Sequence, residues 1–306
     1  MIKRGFLKDA PFGSKIGVLF GMVVVLLIIS QMITMLLLMP YLSLNDLTNE
    51  SKVYDFSNPG IVNALKWSQI VSAIFTFIIP SWLFSVFVSD NSGIFLKLKQ
   101  GSSFILFLLS GIAMIVALPL INWLSVLNEQ LPLPQWAHDM EAQAEKLTDA
   151  FLKMDTIGDL ILNIIMVGLL AAVGEEMLFR GSIQRVLGDI IKNKHIVIWV
   201  AAALFSAFHM QFAGFIPRMF IGALLGYLFE WTGSLWVPIF VHFTNNSFAV
   251  AITYLSAKGF VSADIDKIGV NDQQEKIFVY ASIALLIPII YTIYRITKVK
   301  TVTQSE

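Results

Sequence analysis

Long apolar runs separated by short polar stretches dominate this chain of 306 residues. A helix needs roughly 20 predominantly apolar residues to cross a bilayer. The pattern predicts eight spanning helices, near Ile16–Met39, Trp67–Val88, Phe104–Val126, Gly158–Val173, Ile198–Met210, Phe215–Phe229, Leu235–Tyr254 and Ile277–Tyr294. The fourth, fifth and sixth are short or interrupted by polar residues. The expected fold class is all-α, a polytopic transmembrane helical bundle forming a single integral membrane domain over residues 1–306. No internal repeat or low-complexity tract divides it.

Two connections are long. Asp46–Pro59 is polar and turn-rich and reads as a loop. Leu131–Asp155, between the third and fourth spans, behaves differently. After Pro132 and Pro134, apolar residues recur at Trp136, Met140, Ala144, Leu147, Phe151 and Met154. Steps of four and three mark one face of an amphipathic helix. His138, Asp139, Glu141, Glu145, Lys146 and Asp149 occupy the other face. Such a helix rests on the membrane surface or on the bundle, or it forms a lid over an outer opening.

Composition agrees with the pattern. Residues are 57% hydrophobic and 14% charged, whereas a soluble domain carries about 25% charged residues. That excludes an ordinary soluble protein and makes the lipid bilayer the first partner. Cysteine is absent, which removes disulfides, thiolate metal sites and a cysteine nucleophile. The 21 basic and 21 acidic residues balance, so no global charge points to nucleic acid. With the N-terminus inside, Lys3, Arg4, Lys8, Lys15, Lys97, Lys99, Arg180, Arg185, Lys192, Lys194, Arg295, Lys298 and Lys300 fall on the inner side. The remaining basic residues fall outside. This asymmetry predicts both termini in the cytoplasm. The first span follows a basic stretch, as a signal peptide would, but it is too long for an h-region and no small-residue cleavage site follows. It reads as a retained helix.

Polar residues inside the apolar segments carry the candidate chemistry. Ala171–Arg180 reads AAVGEEMLFR, and a charge at mid-membrane costs about 2.5–3.5 kcal/mol on insertion scales. Glu176 and Arg180 are four apart with the acid first, the favourable order for an intrahelical pair. Glu175 points about 100° away around the helix and has no partner within the segment. In the next helix His209 shares a face with Phe205, and in the seventh His242 shares a face with Asn246. Singly, each has a bland explanation: solvated charges at the inner end, a core histidine, interhelical hydrogen-bond glue. Together they supply a carboxylate, two imidazoles and an amide, the parts needed for proton transfer to water and oxyanion stabilisation. Counting helical rise puts Glu175 and His242 each roughly 10 Å from the inner edge and His209 roughly 15–20 Å from it. Vertical helices would therefore leave His209 away from the other two.

Other hydrolytic signatures are missing. The chain has no HExxH, no GxSG-like serine motif and no glycine-rich phosphate loop. Tyr54-Asp55 is a YD dipeptide in a polar loop without a GxGD partner. Broken helices at matching positions in two halves, the mark of many transporters, are also missing.

Glu175-Glu176-x-x-x-Arg180, Phe205-x-x-x-His209 and His242-x-x-x-Asn246 resemble the EExxxR, FxxxH and HxxxN motifs of the CPBP family. These are intramembrane proteases, also called the CAAX protease and bacteriocin-processing, or Abi, family. The order is the same, and Gly222–Asn246 (GALLGYLFEWTGSLWVPIFVHFTNN) resembles the family segment leading into the last motif. The likeness covers a core of about residues 158–254. It implies an intramembrane endopeptidase acting on a membrane-associated peptide or protein. Glu175 would activate water with help from His209, His242 and Asn246 would bind the oxyanion, and Glu176 and Arg180 would support them. No cofactor is required on this reading. If zinc is bound, its ligands would be Glu175, His209 and His242, residue types that suit it. The competing class is a non-catalytic membrane immunity or scaffold protein that binds a peptide or protein partner.

Overall fold

A computed structural model describes residues 4–43, 45–46, 49–53, 55–262 and 276–303. Lys3 and Tyr54, weighed above, lie outside them. The described residues form helices and no strand. The long helices are α1 (Phe12–Leu38), α2 (Pro59–Val88), α3 (Phe104–Glu129), α4 (Gln135–Leu152), α5 (Ile157–Ile190), α6 (Lys194–Phe208), α7 (Phe215–Thr232), α8 (Trp236–Ala257) and α9 (Lys276–Thr303). The all-α bundle is as the hydropathy predicts, and a helix stands at each of the eight expected spans.

Among the described residues, five of these helices are long and apolar enough on their own to cross a membrane. These are α1, α2, α3, α5 and α9. α6 is apolar but has only 15 residues, about 22 Å of helix against a hydrocarbon core of about 30 Å. α7 and α8, although long enough, carry Arg218, Glu230, His242, Asn245 and Asn246. Two boundaries also move. The fourth segment runs on through the charged motif to Ile190 as one helix of 34 residues. The fifth begins at Lys194 and ends at Phe208, so His209 caps it instead of lying inside it.

Local chemistry sets these limits. α5 starts at a reciprocal cap in which the Thr156 hydroxyl accepts from the Asp159 backbone N–H and the Asp159 carboxylate accepts from that of Thr156. α6 starts where the Asn193 side chain accepts from the N–H groups of His195 and Ile196. α7 stops at Gly233 in the left-handed conformation.

Three apolar clusters place the motif helices in the middle. α3 and α9 pack on one flank of α7 and α8 through Met114, Ala117, Leu225, Leu228, Val241 and Ile293. α1 and α2 pack on the other flank, against α5 and α6, through Leu19, Phe84, Leu178, Phe179 and Phe205. The amphipathic helix forms as predicted and rests on the bundle. Phe151 and the half-buried Leu147 meet Leu38, Leu65 and Met166. Its apolar face is rotated from the expected one at the start, where Ala137 is buried and Trp136 is 54% exposed. Trp136 still meets Phe212 edge to face.

Candidate active site

Glu175 and Glu176 sit in α5 between two π-helical turns, Ile164–Leu170 and Phe179–Gln184. π turns inside α-helices are frequent at functional sites, since the wider turn re-aims the side chains that follow. The preceding Gly174 lets α2 close over this segment. A Cβ there would stand 2.8 Å from Cβ of Phe77.

The adjacent carboxylates have opposite surroundings. Oε1 of Glu176 accepts from Nη1 of Arg180 at 2.7 Å and is 2.9 Å from Nδ1 of His242. Both partners of the ion pair are fully shielded, at 1% and 0% exposure. This disposes of solvated charges at an interface. Nη2 of Arg180 donates to the Gly222 carbonyl at 2.7 Å, and the guanidinium lies 4.7 Å over the Phe205 ring. Gly222 is required by this closeness, because a Cβ would meet Cδ1 of Phe205 at 3.1 Å and Cα of Ala202 at 3.2 Å. Phe205 also meets both imidazoles edge to face, His209 at 5.0 Å and His242 at 5.9 Å. The motif phenylalanine is therefore the wall that fixes two histidines and an arginine.

Glu175 has no such partner. Its Oε2 is buried and without a hydrogen bond. Nε2 of His209 and Nε2 of His242 each stand 3.8 Å from it. Both rings are oriented from behind. Nδ1 of His209 is 2.9 Å from the Phe205 carbonyl, which can only accept, so this nitrogen carries the proton. Nδ1 of His242 faces the Arg180-paired carboxylate and donates likewise. In the neutral rings each Nε2 then presents a lone pair toward Glu175. Three acceptor atoms converge on one small space.

The four-helix arrangement thus brings Glu175, His209 and His242 together, which vertical helices starting at a common level would not do. The expected depth gap disappears because α5 continues 15 residues beyond Glu175, about 22 Å of helix. Glu175 accordingly reaches the level of the end of α6. Asn246 follows one turn after His242, but its Nδ2 donates to the Val167 carbonyl in the first π turn of α5 at 3.0 Å. No hydrogen bond joins it to Glu175 or to either histidine.

The loop after His209 is heavily braced. The buried Asn128, at the end of α3, donates to the Phe212 carbonyl at 2.8 Å and accepts from the Ile216 N–H at 2.7 Å. The Ser206 hydroxyl donates to the Phe215 carbonyl. Glu141 of α4 accepts from the Ala213 N–H at 3.1 Å. Met210 sits at φ +54°, an uncommon backbone conformation for a residue with a side chain. Asn128 and Arg218 escape a motif-based reading. Arg218 did leave a signal, being the lone charge within Phe215–Phe229.

Glu175, His209 and His242 have the residue types of a three-ligand zinc site, and their Nδ1 partners are those that orient metal-binding imidazoles. Their spacing is wider. Ligands of a tetrahedral zinc at about 2.0–2.1 Å stand about 3.3 Å from one another, against the 3.8 Å here. Among the described residues no group of three His, Asp or Glu side chains is placed to hold a metal ion.

Residues 157–248 match the model of a family described as Rce1-like, type II CAAX prenyl endopeptidase. This bears out the resemblance drawn from the three motifs, all of which fall in the matched segment. The protein named uncharacterized protein YpbD, of Bacillus subtilis (strain 168), is 41% identical over 85 residues, covering 26% of this chain and 40% of that protein. The chain thus matches about two fifths of that relative's length. No solved structure matches. The long apolar helices and the match to that family's model over residues 157–248 support an integral membrane protein.

Proposed function

From that family match, which at family level supports a CAAX-type intramembrane protease, we propose that this chain is an endopeptidase in which Glu175 activates a water against a peptide bond of a membrane-associated substrate. The carrying observation is the buried, unbonded Oε2 of Glu175 with two imidazole Nε2 atoms 3.8 Å away. Oε2 of Glu175 and the lone pair on Nε2 of His209 face one space, and a water there donates to both.

The hydrogen-bond partners behind each ring assign the roles. We assign the proton-bearing Nε2 to His242, whose Nδ1–H the carboxylate of Glu176 secures. Its Nε2–H then donates to the oxyanion formed from the substrate carbonyl. His209, oriented by the Phe205 carbonyl behind its Nδ1–H, assists Glu175 in taking the proton from water and passes one to the departing amine. Asn246 spends one amide hydrogen on Val167 and supplies the other as a second oxyanion donor. Glu176 and Arg180 position His242 without touching substrate. No metal is required, and no step runs through one. The Lys and Arg distribution supports an orientation with both termini in the cytoplasm.

The test is cleavage of membrane-anchored peptides by purified protein reconstituted in vesicles, before and after exhaustive chelation. Activity should survive chelation, and Glu175→Ala, His209→Ala and His242→Ala should each abolish it in folded protein. Stoichiometric zinc whose removal stops turnover and whose return restores it would replace the metal-free mechanism. Alanine variants that keep full biological activity would point instead to a non-catalytic partner-binding protein.

A further inference from the structure

Two clefts adjoin at the start of α6, at the opposite end of that helix from His209. Lys194 begins α6 and His209 caps it, so about 22 Å of helix lies between them. The first cleft, about 320 Å³, is lined by Lys97, Arg185, Lys192 and Lys194 together with Asp189 and Glu230. Both acids are already taken. Asp189 pairs with Lys15 at 2.8 Å, and Glu230 pairs with Lys194. Among the described residues, Lys97, Arg185 and Lys192 form no ion pair. Arg185 donates to the Phe95 carbonyl, and Lys192 to that of Asp189 at 3.4 Å. Burial holds the Lys97 ammonium below the usual lysine range, and the Arg185 guanidinium lowers it further. Lys97 also sits at φ +58°, uncommon for a residue with a side chain, with its carbonyl accepting from the Leu235 N–H at 3.1 Å.

The second cleft, about 960 Å³, lies between α6, α7 and α9 and has the opposite character. Ile198, Ile287, Ile290, Trp231, Tyr291 and Tyr294 line it. Trp231 meets Tyr294 edge to face at 5.6 Å, and the Lys298 ammonium stands 5.0 Å over the Tyr294 ring. Ile287 and Tyr291 are exposed, so the cleft is open along α9. Lys194 and Glu230 line both clefts, which makes one groove, cationic at one end and apolar at the other. A cationic cleft by itself suits any small anion, and an apolar one suits any hydrocarbon chain. The two joined suit an amphiphile with an anionic head. Basic pockets between membrane helices on the cytoplasmic side are where anionic headgroups bind. The orientation proposed above puts these cations on that side.

We propose that this groove binds one anionic phospholipid, with its phosphate among Lys97, Arg185 and Lys192 and an acyl chain between α7 and α9. The site is separate from the catalytic cluster, and the assignment does not rest on the peptidase reading. Trp231 and Tyr294 flank the chain near the headgroup layer, the depth at which aromatic rings collect. Lys298 lays its aliphatic stem along the cleft and keeps its ammonium at the polar level.

The probes are phosphatidylglycerol and phosphatidylcholine with brominated acyl chains, mixed into uncharged detergent micelles that hold the full chain. Bromine quenches tryptophan fluorescence on contact. Trp231 lines the second cleft, so the parent signal minus that of Trp231→Phe reports on the groove. Phosphatidylglycerol should reach half-quenching at a mole fraction about 10- to 100-fold lower than phosphatidylcholine, with two or three cations each worth about fivefold. Lys97→Gln and Lys192→Gln should each cut that preference about fivefold and together remove most of it. Quenching by phosphatidylcholine should stay at the parent level in these variants. Lys146→Gln with Lys153→Gln, in α4 and at its end, should keep the preference. Equal quenching by the two lipids in the parent, or an undiminished preference when Lys97 and Lys192 are both replaced, would overturn the assignment. An equal loss in the α4 variant would reduce the effect to overall charge and overturn it too. Displacement of the brominated lipid by inorganic phosphate, beyond what chloride does at the same ionic strength, would give the cations to a soluble anion and likewise overturn it.

Discussion

α1 and α5 are both long enough to cross a bilayer, and hydropathy counts both as spans, yet they solve different problems. α1 turns Phe20, Val25, Ile28, Met32 and Leu36 outward, and its few buried residues form one seam against α2 and α5. α5 carries Glu175, Glu176, Arg180 and Gln184 in its middle, all buried. The difference teaches where polarity is tolerated in a membrane. A helix facing lipid has no partner for a polar atom, whereas one enclosed by α2, α6, α7 and α8 has carbonyls, rings and counter-charges on every side. The same enclosure that makes the Glu176–Arg180 pair affordable also desolvates the unpaired Glu175 beside it.

Breaking that contrast at its centre should have the largest effect. Glu175→Gln keeps size and removes the base, and should cut kcat by about 10²–10⁴-fold while the unfolding midpoint holds. A comparable fall in stability would make Glu175 a structural group. The next change is at the neighbouring pair. Glu176→Ala or Arg180→Ala strands a buried charge and should cost about 3–5 kcal/mol, measured by denaturant unfolding in detergent, along with activity. Replacing both at once, Glu176→Leu with Arg180→Met, should recover most of the stability and none of the activity, because His242 loses its anchor. Recovery of turnover in that double variant would remove the positioning role.

Asn246→Ala should lower kcat by about 10²–10³-fold, the worth of an oxyanion donor, with KM little changed. A variant that loses stability alone would assign Asn246 to holding α8 on α5 through Val167. On the lipid-facing helix, Phe20→Ala should shift stability by no more than about 0.5 kcal/mol. A drop of several kcal/mol there would show that the outward face of α1 is a protein contact.

Much of this was legible in the residues. Apolar runs placed a helix at each of eight sites, because hydropathy depends only on composition over a window. The four-residue spacings of Glu176–Arg180 and His242–Asn246 identified shared faces, because helical periodicity is local. The 3.6-residue pattern located α4 for the same reason. The amino-acid sequence by itself determined the fold class, the motif residues and which glutamate would be left without a partner. It did not determine how far each helix runs or how the helices are staggered. Those depend on caps at Thr156 and Asn193, on π turns within α5 and on packing across Gly174 and Gly222, none of which a window average reports. Tertiary structure alone brought His209 to Glu175 and put His242 on the same oxygen of Glu176 as Arg180. Meetings between residues tens of positions apart are set by how whole helices fit together, and a single side chain's surroundings exist only after that fit is made.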